Sequence, residues 1–173
     1  MQIPRMTVVT LGVSDLARAT AFYREVFSTP PITQHEGVTF FPLPGVWLSL
    51  YPLDKLVEDI GIKAPAPAES HAGPLVHSAA GSVYTAGRRG QAPQAAHRAF
   101  RGVTLAYNAR SKEEITAIFE RVAHAGAHIA KAPQDTFWGG HSGYFADPDG
   151  HYWEVAWGPM FDFNEHGDLK FKS

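Results

Sequence analysis

The chain has 173 residues, of which 45% are hydrophobic, 12% aromatic and 18% charged, a composition typical of a globular protein with a buried core. Its 15 Lys and Arg residues nearly balance its 17 Asp and Glu residues, and this net charge of −2 argues against a nucleic-acid partner. The sequence contains no cysteine, no long apolar run and no recognisable signal peptide. We therefore expect a cytoplasmic protein with no disulfide, no thiolate metal site and no membrane partner.

The first half of the chain begins with a strand, a turn and a helix, in TVVTLGVSDLARATAFYREVF (residues 7–27). Residues 8–13 alternate between two faces, as a half-buried strand does, and Ser14 or Asp15 can cap a helix with one apolar side. FFPLPGVWLSLYP (residues 40–52) then predicts two strands joined by a turn at residues 42–45. A short helix follows and ends within residues 56–60, so residues 1–60 form a first module.

The second half repeats this order. GVTLAYNARSKEEITAIFERVAHAG (residues 102–126) is again strand, turn and helix, with a capping-box pattern at Ser111 and Glu114. FADPDGHYWEVAWGP (residues 145–159) aligns with the hairpin of the first half, and this alignment matches Ser49 with Glu154. The repeat predicts an α+β protein of two tandem βαβββ modules, residues 1–60 and 98–159.

Two segments lie outside the repeat. Residues 61–97 are rich in Ala, Gly and Pro, which make up 19 of the 37 residues, and show no regular apolar period. This composition predicts a flexible linker or insertion, and the alternative is a lid over a pocket that carries His71, His77, Tyr84, Arg88 and Arg89. Residues 160–173 form a C-terminal tail whose apolar residues dock either on their own chain or on a partner.

Three segments carry a resemblance to a known family: VTLGVSDLARATAFYREVF, GVTLAYNARSKEEITAIFERVAHAGAHIAKAP and, most specifically, FADPDGHYWEV. They resemble the vicinal oxygen chelate superfamily, which includes glyoxalase I, fosfomycin-resistance thiol transferases, extradiol dioxygenases and bleomycin-resistance proteins. The resemblance implies a glyoxalase-like fold in which two modules curl their sheets into a half-barrel pocket. It also implies one divalent metal ion, held by four symmetric strand positions, and a homodimer.

The four metal positions of the family map here to Val8, Ser49, Thr104 and Glu154. Valine has no donor atom, and serine and threonine are weak ligands for first-row divalent ions, so only Glu154 is a strong ligand. We therefore expect no metal cofactor at the usual site. A divalent metal remains possible through a shifted site, for which His141, His151 and His97 are the candidates.

Strand alternation predicts which side chains face the pocket. If Glu154 points inward, so do Tyr152 from its own strand and Thr104 and Asn108 from the strand at the start of the second module. The same rule gives Trp47, Ser49 and Tyr51 from the first module, while Trp138, His141 and Tyr144 could line the mouth. This mixture of aromatic walls and few polar groups is typical of a pocket for a small organic molecule. The alternative is a filled core in which Glu154 hydrogen-bonds to Thr104, Ser49 or Tyr152.

Three functions are compatible with these patterns. The first is a metal-free protein that binds a small organic molecule, as the bleomycin-resistance members do. The second is an enzyme, namely a glyoxalase-like lyase, an isomerase or a dioxygenase, that uses either a shifted metal or Glu154 as a catalytic general base. The third is an interaction module with a vestigial pocket. The fold alone does not choose among them.

Overall fold

The computed structural model describes residues 6–61 and 102–172. The first module contains β1 (Val8–Val13), α1 (Leu16–Phe27), β2 (Thr39–Phe41), β3 (Trp47–Pro52) and α2 (Leu53–Asp59). The second contains β4 (Leu105–Asn108), α3 (Lys112–His124), β5 (His128–Asp135), β6 (His141–Ala146) and β7 (Tyr152–Trp157). The tail adds β8 (Phe161–Phe163) and β9 (Leu169–Phe171). The predictions for residues 62–97, which cover the linker or lid and the candidates His71, His77, Tyr84, Arg88, Arg89 and His97, lie outside the described residues.

Each module builds one mixed sheet. The strand order is β1-β3-β2 in the first sheet and β4-β7-β6-β5 in the second. The first strand of each module runs parallel to its last strand, so Thr10 is level with Ser49, and Ala106 is level with Glu154. The predicted α+β class and the repeat of two modules are confirmed, and the second module has the complete βαβββ order.

The first module departs from the repeat after α1. Where the second module has the eight-residue strand β5, the first has a single bridge between Ile32 and Phe40. Pro30 and Pro31 come directly before this bridge. A proline has no N–H to donate to a neighbouring strand, so these two residues prevent a longer ladder from forming there.

The caps of the long helices follow the sequence pattern. The Asp15 side chain accepts a hydrogen bond from the Arg18 N–H at the start of α1, and Ser111 accepts one from the Glu114 N–H at the start of α3. Helix α3 ends at His124, and Gly126 then adopts a φ of +95°, a conformation that glycine reaches without strain.

One hydrophobic core joins the two modules. Trp153 and Val155 of β7 and Leu48 and Leu50 of β3 are buried in it, as alternation predicts for the helix-facing side of each sheet. The modules pack through α1 against α3, and the Tyr23 ring lies among aromatic neighbours from both modules. The opposite side of the first sheet is covered by α2 at Gly12, whereas that of the second sheet faces away from α1 and α3.

The C-terminal tail packs on its own chain, which was one of the two predicted alternatives. Strands β8 and β9 pair as a hairpin. The Arg110 guanidinium lies 4.5 Å from the centre of the Phe163 ring, and Phe161 approaches Gly158. Leu169 and Phe171 remain exposed.

Candidate functional site

Glu154 lies on the side of the second sheet that faces away from the helices. We call this side the Glu154 face and define it by the residues that alternation places there: Ala106, Ser142, Tyr144, Tyr152, Glu154 and Ala156. Tyr144 lies directly opposite Glu154 in the β6–β7 register, and its hydroxyl donates a 2.8 Å hydrogen bond to Oε1 of Glu154. This hydrogen bond and, to a smaller extent, burial raise the pKa of Tyr144.

Trp138 covers one end of this face because two glycines leave room for it. A Cβ atom at Gly140 would overlap the indole ring, and one at Gly158 would lie 2.8 Å from its Cζ3 atom. The same added Cβ at Gly158 would lie 2.5 Å from Met160 Sδ and 3.2 Å from the Phe161 ring. Trp138, Met160 and Phe161 thus form an aromatic and apolar wall where β7 ends.

The Glu154 face is closed at this wall and open at the edge strand β4. Ala156 and Ser142, next to the wall, are only 6% and 3% exposed. Ala106, level with Glu154 on the edge strand β4, is exposed. Lys131 flanks the far side, with its Nζ atom 5.9 Å from the centre of the Tyr144 ring. A ligand would therefore reach the Glu154 carboxylate from the side of Ala106.

The remaining predicted site residues of the second module lie either on or near the strands β4 and β7 beside Glu154, or on the helix-facing side of the sheet. Thr104 is exposed just before β4, Asn108 is level with Ala156, and Tyr152 is half-buried two residues before Glu154. His141 is level with Trp157, so it occupies the helix-facing side, where its Nδ1 atom lies 2.8 Å from Oδ1 of Asp135. The structure does not bring His141 together with Glu154.

The predicted residues of the first module lie on the other sheet. Trp47, Ser49 and Tyr51 alternate with buried leucines along β3, and the Trp47 ring lies 6.2 Å from the Phe40 ring. The Ser49 hydroxyl donates a 3.1 Å hydrogen bond to the Thr10 hydroxyl, within its own sheet. Among the described residues, no hydrogen bond or ion pair links Ser49 to Glu154. The convergence of the two modules on one pocket stays a prediction.

The hydrogen-bond partner of Glu154 differs from those the sequence suggested. Thr104, Ser49 and Tyr152 were the expected alternatives, and the structure pairs Glu154 with Tyr144 instead. The cause is the register, because an antiparallel neighbour directly across a strand lies closer than a residue two positions away on the same strand. Tyr144 was predicted only at the mouth of the pocket.

A hydrogen-bond network joins the two modules, and the sequence pattern did not predict it. Tyr23 of α1 is fully buried, its hydroxyl donates a 2.6 Å hydrogen bond to Oδ2 of Asp147, and it accepts one of 3.0 Å from the Trp153 indole N–H. Burial raises the pKa of Asp147, against the opposing effects of His151 and the Tyr23 hydroxyl. These groups fix the β6–β7 turn against α1.

Asp149, in the same turn, clamps the start of α1. Its Oδ1 atom accepts hydrogen bonds from the Ser14 N–H, at 2.8 Å, from the Ser14 hydroxyl, and from the Arg18 guanidinium at 3.0 Å. Burial alone would raise the pKa of Asp149, but the hydrogen bonds from Ser14 and the Arg18 charge outweigh it, so this pKa is lowered. The turn therefore positions β7, and with it Glu154, relative to the first module.

The family follows from comparison with known proteins. The family model described as Glyoxalase/Bleomycin resistance protein/Dioxygenase superfamily matches residues 5–155. The chain belongs to this superfamily. It is 26% identical over 161 residues, which are 91% of this chain and 83% of the relative, to metallothiol transferase FosB of Shouchella clausii (strain KSM-K16).

Solved structures of the glyoxalase superfamily share the fold. A glyoxalase-related enzyme from Fulvimarina pelagi aligns with a TM-score of 0.72 and 26% identity, over 99% of this chain and 100% of that one. The fosfomycin resistance protein FosX from Listeria monocytogenes aligns with a TM-score of 0.59 and 21% identity, over 92% and 97% of the two chains. The second similarity concerns the fold alone.

Members of the glyoxalase superfamily usually bind a divalent metal, and among the described residues the four positions that correspond to the family's ligands offer one strong ligand, Glu154. Val8 has no donor, the Ser49 hydroxyl bonds to Thr10, and the described residues contain no group of three His, Asp or Glu side chains close enough to hold an ion. Of the shifted candidates, His151 has its Nε2 atom 3.0 Å from the Gly12 carbonyl oxygen and His141 contacts Asp135. His97 lies outside the described residues.

Where the structure describes the chain, no helix is both long enough and apolar enough to cross a lipid bilayer.

Proposed function

We propose that this glyoxalase-superfamily member binds a small organic molecule on the Glu154 face, without the divalent metal that the family usually uses. One observation carries the proposal: a half-buried carboxylate, held by the Tyr144 hydroxyl, lies between an exposed alanine and a wall that contains Trp138. Few polar anchors beside aromatic and apolar surface are typical of small-molecule sites.

The chemistry of Glu154 favours a ligand that donates hydrogen bonds. Within the described residues, Tyr144 is the sole hydrogen-bond donor to this carboxylate, and it uses only Oε1. A carboxylate has about four lone-pair positions, so Oε2 and part of Oε1 remain able to accept. The residues proposed to contact the ligand from this module are Thr104, Asn108, Trp138, Tyr144, Tyr152 and Glu154.

The first sheet supports a second part of the proposal, a homodimer. Met6 is 72% exposed, and Val8 and Trp47 are each 42% exposed, along β1 and β3. Exposed apolar residues grouped in this way mark surfaces that a partner covers. A second copy on this surface would place Trp47, Ser49 and Tyr51 beside a ligand site.

A second candidate function is proton transfer by Glu154 without a metal, in a lyase or isomerase. The observation that favours it is the Tyr144 hydroxyl, whose hydrogen bond holds the Glu154 carboxylate in place. A metal-dependent lyase or dioxygenase has less support, because it rests on the family and on the name of the FosB relative.

A fragment screen observed by protein NMR tests the proposal. Tag-free protein, treated with a chelator, is screened with small aromatic compounds, and the same screen is run on Glu154→Gln and on the control Glu120→Gln, an exposed carboxylate of α3. We expect hits that shift the amides of Tyr144, Glu154 and the Trp138 indole and that weaken at least tenfold in Glu154→Gln alone. Hits that map elsewhere, or none at all, would contradict binding at this face and favour a vestigial pocket.

A further inference from the structure

A groove on the helical side of the molecule lies where the two modules meet. Its volume is about 430 Å³, within the range of small-molecule sites. It lies between α1, the end of α3 and the β6–β7 turn, and its lining residues are Arg18, Ala21, Phe22, Arg24, Glu25, Ala125, Gly126 and Pro148. None of them belongs to the Glu154 face.

The walls of the groove are small and apolar. Ala21 and Phe22 come from α1, Ala125 and Gly126 follow α3, and Pro148 belongs to the turn. A side chain at Gly126 would meet no atom within 4 Å, so the glycine opens this end of the groove. A flat ring therefore has apolar surface to contact on more than one side.

Two arginines and one glutamate line the groove, and the arginines differ in their partners. Arg24 makes no hydrogen bond or ion pair with any described residue. Arg18 uses one terminal nitrogen for Ser14 and for an ion pair with Asp149, and its other guanidinium N–H groups have no partner among the described residues. The one carboxylate in the lining, Glu25, lies 3.8 Å from Nε2 of His124. Arg18 is paired with Asp149, so the guanidinium of Arg24 is the group that favours an anionic ligand.

We propose that this groove is a second binding site, which takes an aromatic carboxylate. The carboxylate would pair with Arg24, and the ring would pack between Ala21, Ala125 and Pro148. Arg18 also holds Asp149, so a ligand here would bind next to the contact that joins the modules. The site is independent of the ligand proposed for Glu154.

The test is the binding of benzoate to the full chain. Calorimetry measures its affinity, and backbone amide shifts in NMR spectra locate the site. We expect benzoate to shift Ala21, Ala125 and Gly126, and its neutral isostere benzamide to bind at least tenfold more weakly. Arg24→Gln removes an exposed, unpaired charge and should weaken benzoate at least tenfold. Ala21→Glu, at another exposed position of α1, should have the same effect by repulsion.

Two controls separate this site from others. Lys172→Gln removes an exposed positive charge from the tail, and Glu154→Gln alters the other proposed site. Both variants should bind benzoate with an affinity within twofold of that of the unmodified protein. Equal binding of benzoate and benzamide, unchanged affinity in Arg24→Gln, or inorganic phosphate binding as tightly as benzoate would overturn the assignment. Loss of benzoate binding in Glu154→Gln would place the ligand on the Glu154 face instead.

Discussion

Removing the Tyr23 hydroxyl should weaken the contact between the modules. In Tyr23→Phe the ring stays among its aromatic neighbours, but the 2.6 Å hydrogen bond to Asp147 and the 3.0 Å hydrogen bond from the Trp153 indole are both lost. Both partners are buried, so neither gains water in exchange. The substitution therefore isolates the polar network from the packing of the core.

The magnitude follows from the two groups left without a partner. A buried donor that loses its acceptor costs about 1–3 kcal/mol, and hydrogen bonds to charged groups are worth about 1.5–3 kcal/mol. Asp147 keeps its hydrogen bonds from the Asp149 and His151 N–H groups through its other oxygen. We therefore expect the free energy of unfolding to fall by about 2–4 kcal/mol at pH 7.

The loss should depend on pH in a defined direction. Burial raises the pKa of Asp147 in the folded protein above its ordinary value of 3.8. As the pH rises above 3.8, the unfolded chain therefore loses this proton more readily than the folded protein, and the fold loses stability. The Tyr23 hydroxyl opposes that rise, and its removal raises the pKa of Asp147 further. The cost of Tyr23→Phe should therefore be larger at pH 7 than at pH 4.5.

Urea unfolding followed by far-UV circular dichroism at both pH values measures the effect. Tyr107→Phe is the matched control, because it removes a tyrosine hydroxyl that donates to a carboxylate, Glu114, at an exposed position. We expect this control to lose less than about 1 kcal/mol. A loss below about 1 kcal/mol in Tyr23→Phe at pH 7 would refute the reasoning, as would a larger loss at the lower pH.

Three further substitutions or titrations test other parts of the structure. Gly158→Ala places a methyl group 2.8 Å from the Trp138 ring, so it should lower the unfolding free energy by about 1–3 kcal/mol and shift the tryptophan emission maximum. Asp149→Asn should lower the free energy of unfolding in urea by about 1–3 kcal/mol at pH 7, because it weakens the contact with Arg18. The fold lowers the pKa of Asp149, so the difference in stability from the unmodified protein should shrink below pH 4. Burial, followed by its hydrogen bond to a carboxylate, raises the pKa of Tyr107 to about 12, so its ¹³Cζ NMR signal should be less than half titrated at pH 11.

Each of these expectations has a contradicting result. An unchanged stability and emission spectrum in Gly158→Ala would mean that Trp138 does not lie against this glycine. A stability difference for Asp149→Asn that is constant from pH 7 to pH 3 would show that the charge of Asp149 has no part in the clamp. A Tyr107 signal fully titrated by pH 11 would exclude its hydrogen bond to Glu114.

Local patterns predicted the elements of the fold because the information lies within each segment. Alternation along Val8–Val13 and the caps at Asp15 and Ser111 each depend on neighbours within a few residues. The repeat then placed both modules. It did not predict the shortened strand before Phe40, because the effect of two prolines on pairing depends on the partner strand.

The register of the hairpins shows where the sequence alignment was insufficient. The sequence matched Phe40 with Phe145, yet the structure places Phe40 opposite Ser49 and Tyr144 opposite Glu154. The second hairpin has one more residue between its paired positions, which shifts the equivalent position by one and turns the side chain to the other face. This shift hid the pairing of Glu154 with Tyr144.

Contacts between distant segments could not be predicted from the sequence. DPDG was recognised as a turn, but Asp149 also binds Ser14, 135 residues earlier. Likewise Trp138 was expected at a pocket mouth, and its packing against Gly140 and Gly158 depends on two glycines that meet only in the folded sheet. Such pairings need the modules to be placed relative to each other.

Metal content tests the central claim most directly. Tag-free protein is soaked separately in Ni, Zn, Mn and Fe(II) salts, dialysed and subjected to elemental analysis, together with Glu154→Gln. We expect less than about 0.1 ion per chain in both proteins, because Val8, Ser49 and Thr104 offer no strong ligand beside Glu154. Close to one ion per chain, lost in Glu154→Gln, would contradict the metal-free account and would direct attention to lyase and dioxygenase chemistry at this carboxylate.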